Sequence, residues 1–167
     1  MPDSIKGFAI ALTLLALCGC AAPPARQMTP FVEADFAPWL GEGPATLRGQ
    51  AFLKTVGGDV KTCAGEAVAL LPANAYDREV VENIQSGRGV APGVVQQTSG
   101  YVRITTCDAQ GNFSFTDLPT RDWFVVTRVA WGVPTGSILV PMDTQGGDVV
   151  RFVSLRAGDN QVIIAQH

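Results

Sequence analysis

Residues 45–167 predict an all-β fold, a Greek-key antiparallel β-sandwich of about seven strands with one short inserted helix. Three observations lead there. Apolar and polar residues alternate with period two in several separate segments, beginning with Ala45, Leu47, Gly49, Ala51 and Leu53 against Thr46, Arg48 and Gln50. Turn-forming residues stand between those segments, as in Gly57-Gly58-Asp59 and Asp108-Ala109-Gln110-Gly111. Helical spacing shows in a single stretch, too little crossover for a parallel sheet between successive strands.

After the first strand, residues 67–71 are apolar on both faces, as expected of a strand inside a sandwich, and Pro72 stops them. One helix follows: Asn74 or Asp77 can cap it, Tyr76, Val80, Val81 and Ile84 share a face, and Gly87 suits its end. The Gly, Ser and Gln content of residues 86–100 reads as a mobile loop. Strands resume at Tyr101, with Val102 and Ile104 read as inward, and continue through Phe113 and Phe115. A valine- and aromatic-rich strand spans residues 122–131, and segments 149–155 and 161–164 complete the set. Trp131 opens a Gly-Pro stretch read as a loop. Trp123 and Trp131 share parity with Val125 and Val129, which assigns both to the core face.

The N-terminus carries an address. Lys6 precedes an apolar run over residues 8–17, about 15 Å as a helix against a hydrocarbon core of about 30 Å, so residues 1–19 read as an export signal and not as a span. Leu17-Cys18-Gly19-Cys20 resembles the bacterial lipoprotein box, which implies a lipid anchor on the Cys20 sulfur; a signal cleaved without lipidation is the alternative. Ala21 after the cysteine points to the outer membrane, with the domain on the periplasmic face. Residues 20–44 hold five prolines and read as a tether, within which residues 31–40 are apolar enough to dock on the domain.

With 12 basic and 15 acidic residues, a net charge of −3 and no basic block, nucleic acid is an unlikely partner class on electrostatic grounds. Without the signal, and with the Cys20 sulfur lipidated, Cys63 and Cys107 are the remaining free-thiol candidates, and in an oxidising compartment they are expected to pair, with two separate buried thiols as the alternative. Cys107 stands out of phase with Val102 and Ile104, so a bridge asks for a bulge or a rim position. Two cysteines and His167 lack metal-ligand spacing, and no cofactor is expected.

The segment from Thr106 to Pro119 resembles the signature of carboxypeptidase regulatory-like domains, in Asp108, Gly111, Phe113, Phe115, Leu118 and Pro119. The resemblance covers roughly residues 45–131 and implies a transthyretin-like sandwich. Asp122-Trp123 departs from the family's usual Gly-Tyr, and residues 73–100 are longer than its minimal module. The matching residues build turns and core, so they speak to fold and little to function.

Three functional readings remain. A non-catalytic, lipid-anchored binding or scaffolding module would contact another envelope protein through sheet edges and end loops. A carbohydrate-binding protein would stack Trp131 on a sugar ring. A hydrolase is the weakest: His167 is the only histidine, and Asp117 and Asp122 are a carboxylate pair of the kind turns commonly carry.

Overall fold

The computed structural model describes residues 27–166; the signal segment, Cys20 and His167 lie outside the described residues. Eight strands form two four-stranded sheets. In the first sheet β1 (Ala45–Lys54) is central. Along one edge it pairs antiparallel with β5 (Asn112–Leu118) over residues 45–50 and with the short β2 (Val60–Thr62) over residues 52–54. Along the other edge β8 (Gly158–Gln166) runs parallel to it. The second sheet is antiparallel throughout, in the order β4 (Arg103–Thr106), β3 (Ala67–Pro72), β6 (Asp122–Pro134), β7 (Met142–Ser154).

The parallel β1–β8 pair departs from the expected all-antiparallel arrangement. The crossover rule governs strands joined by a short connection, whereas here the connection is the rest of the domain. Asn160 Nδ2 donates to the Thr46 carbonyl across 114 residues of sequence.

Between the sheets lie Leu47 and Ala51 of β1, Phe113, Phe115 and Leu118 of β5 and Ile164 of β8. Facing them are Val68, Leu70, Trp123, Val125, Val129 and Val149 of the second sheet. The second sheet is covered on its other face too. Leu71 and Phe124 pack there under α1 (Ala75–Gln85), α2 (Pro92–Thr98) and a 3₁₀ turn at Glu33–Trp39, which contribute Tyr76, Val80, Val81, Val94 and Phe36. That explains the doubly apolar β3: both of its faces are buried.

The helical layer is larger than the single expected helix. Asn74 is the α1 N-cap, its side chain accepting from the Asp77 N–H at 2.8 Å. The supposed loop over residues 86–100 contains α2, started by Pro92 at a position that needs no N–H. Residues 31–40 dock as expected: Phe36 is fully buried, Phe31 stands edge-on to Tyr76 with ring centroids 5.5 Å apart, and Trp39 Nε1 donates to the Asp122 carbonyl at 2.8 Å. Just before this segment, the Glu79 carboxylate of α1 accepts from the N–H groups of Met28 and Thr29.

Candidate functional site

The signature segment builds architecture. The Asp108 carboxylate accepts from the backbone N–H groups of Gln110 and Asn112, at 2.9 and 2.8 Å, and from the Asn112 amide. Those bonds, the Asn112 side chain's foremost, hold its carboxyl below the usual range. Gly111 closes the turn at φ 80°, and a β-carbon there would meet the Ala51 carbonyl. Phe113 and Phe115 stand edge-to-face inside the sandwich, 6.2 Å between centroids. Leu118 is buried beside them, and the Pro119 carbonyl accepts from Trp123 Nε1 at 3.3 Å.

Cys63 and Cys107 form a disulfide with Cα atoms 5.8 Å apart. The phase expected around it is reversed. Val68, fully buried, pairs with Thr105, so Thr105 and Cys107 share the inward parity, while Ile104 points outward and is exposed. Cys107 lies just beyond the end of β4 and needs no bulge to reach Cys63.

Two of the grooves on the described surface bear on binding. The first, of about 510 Å³, opens at the end of the sandwich where β1 turns into β2, between residues 54–61 and the β6–β7 hairpin. Trp131 lines it. This residue is not the start of a loop: β6 pairs with β7 as far as Pro134 and Met142. It keeps the inward parity of Trp123, Val125 and Val129, but where those are fully buried it is half-buried, set against the core and open to the groove. Opposite, Gly146 adopts φ 97°. A β-carbon at that position would strike the Val129 carbonyl and stand 3.0 Å from the indole, so the ring's seat depends on glycine. Lys54, Asp59, Lys61 and Gln145 supply polar groups around the ring, with Lys61 and Asp59 4.0 Å apart. Sequence pattern did not single out these four. Lys54, Asp59 and Lys61 belong to the β1–β2 hairpin and Gln145 pairs with Trp131 across β6 and β7, so only the packing of one hairpin beside the other brings them together.

The second groove, about 620 Å³, lies along the outer face of the first sheet and is lined by Arg48, Gln50, Asp108, Asn112, Ser114 and Gln161, among others. Val162 and Ile163 add apolar groups to its lining. The aromatic residue beside it, Phe113, is committed to the core.

The carboxylates do not converge. Asp117 and Asp122 are exposed and bond different partners, the Thr116 and Ser154 hydroxyls. Asp77, in the first turn of α1, is a buried carboxylate whose oxygens, like Asn74 Nδ2, have no hydrogen-bond partner among the described residues; burial pushes its pKa up to about 7. It lines neither groove. Among the described residues no three His, Cys, Asp or Glu side chains gather as metal ligands would.

No protein-family model and no curated protein matches the sequence. Among solved structures, the chain is similar to a Pseudomonas aeruginosa protein described as a "putative carbohydrate binding protein", with a TM-score of 0.68 and 21% identity. The match covers 83% of this chain and 99% of that one. At such identity, what the two chains share is the fold.

Proposed function

We propose that this protein is a non-catalytic envelope module, held to the outer membrane by lipid on Cys20, that binds carbohydrate in the end groove around Trp131. One observation carries the reading: a half-buried indole that lines a concave site beside lysine, aspartate and amide side chains. A sugar ring offers an apolar face of C–H groups and a rim of hydroxyls. The indole suits the face, and Lys54, Asp59 and Gln145 suit the rim. The disulfide fits an exported chain, and the resemblance to carboxypeptidase regulatory-like domains fits an accessory role. The fold neighbour's description points toward the same ligand class.

Titration against envelope-derived glycans, followed by tryptophan fluorescence, tests the proposal. Trp131→Ala is expected to weaken binding at least about tenfold, roughly 1.4 kcal/mol, with the circular dichroism spectrum retained. Unchanged affinity in that variant would remove the groove from the reading. Failure to bind any glycan, with capture of one abundant envelope protein by in-cell cross-linking, would replace it with the scaffolding role.

A further inference from the structure

Beyond Thr127, β6 loses β3 as a neighbour and continues only with β7, so the hairpin extends as a two-stranded arm. From Val129 to Met142 it carries no charged residue. Its tip is apolar and open to solvent: Ile138 is 96% exposed, Leu139 87%, Val140 56% and Met142 54%. Soluble surfaces do not usually gather large apolar side chains this way.

The tip's backbone is the second observation. Thr135 N–H donates to the Pro141 carbonyl at 3.2 Å, and the Thr135 hydroxyl bonds the Val140 carbonyl. Ser137 N–H donates to the Thr135 hydroxyl oxygen at 3.1 Å, and the N–H groups of Leu139 and Val140 donate to the Ser137 hydroxyl oxygen at 3.2 and 3.4 Å. Pro134 and Pro141 have no N–H to satisfy. These bonds engage the N–H groups of Thr135, Ser137, Leu139 and Val140 and the carbonyls of Val140 and Pro141, while the apolar side chains face outward. Donors so engaged lower the cost of taking the tip out of bulk water.

We propose that residues 135–142 insert into the interface of a lipid bilayer. A protein partner fits less well, since a stable protein interface recruits about 20–30 residues a side and this tip has eight. Lipid closes around a narrow projection without needing a matching pocket. Lys54, Lys61 and Asp59 at the arm's base and Asp143 beside the tip sum to no net charge, so apolar burial drives the contact and salt has little effect on it. Trp131, four residues before the tip, lies about 13 Å behind it. Insertion by about 5–10 Å therefore leaves the groove at headgroup level and open.

The full chain, expressed in its host with the photo-cross-linker p-benzoylphenylalanine at position 139, tests this. The control places the same group at position 99, an exposed residue after α2. Phospholipid adducts at position 139 at least about fivefold above position 99, unchanged when membranes are irradiated in about 1 M salt, are the expected result. Equal lipid labelling at both positions would reduce the signal to the nearness of any anchored domain and overturn the proposal. So would a defined protein adduct at position 139 in place of lipid. Either result is separable from the fate of the glycan reading, which depends on Trp131.

Discussion

Replacing Asp77 by asparagine should change how stability depends on pH, because the folded protein buries this carboxyl with no hydrogen-bond partner among the described residues. Burial lifts its pKa to about 7, against about 3.9 for an exposed aspartate. The native state therefore holds a proton that the unfolded chain releases. The resulting stability is fully present below about pH 4 and is lost as pH rises through about 7. Three pKa units correspond to about 4 kcal/mol. The α1 N-terminus opposes burial, since its dipole favours a carboxylate in the first turn by up to about 2 kcal/mol, so roughly 2–4 kcal/mol is the expected span. Asparagine has nothing to ionise. Urea denaturation of the disulfide-intact protein at pH 4, 6 and 8 should show the wild type losing that amount relative to Asp77→Asn, with similar m-values. Parallel stability curves for the two proteins would refute the argument.

Two further perturbations test the frame. Cys63→Ala with Cys107→Ala opens a loop of 44 residues and should cost about 4 kcal/mol on the chain-entropy model, read as a lower urea midpoint; a shift under about 1 kcal/mol would mean that the denatured chain is already restrained. Phe36→Ala should cost about 3–5 kcal/mol and expose the Phe31 and Tyr101 rings, measured by denaturation and by faster hydrogen exchange over residues 27–40. Exchange unchanged in that segment would mean that it is held by the Glu79 and Trp39 hydrogen bonds instead.

Much of the sandwich was legible because local chemistry and tertiary position agreed. Alternation in β1 follows its one core face, Asp108 and Gly111 are dictated by the turn they make, and Asn74 caps α1 as its side chain allows. Legibility failed where a partner decided the outcome. β2 is three residues long and exposed or half-buried, so it shows no hydrophobic period and exists because β1 offers an edge. The outward Ile104 looked inward because it is apolar, and only pairing with Ala69 shows the phase. α2 was hidden by its glycine and glutamines, and is held by Val94 in the second core. Of the site, Trp131 was visible as a residue and its parity was read correctly. Its groove was not visible, since Lys54, Lys61 and Gln145 reach it across two hairpins.

The pairing of the first strand with the last sets an order of events. Residues 158–166 supply one entire edge of β1, including the partner of every residue from Ala45 to Leu53. A chain emerging N-terminus first therefore cannot complete its first sheet until residues 158–166 are free. Contacts of such long sequence separation form slowly. On the proposed export route that delay has a use: the domain locks only after residues 158–166 have crossed.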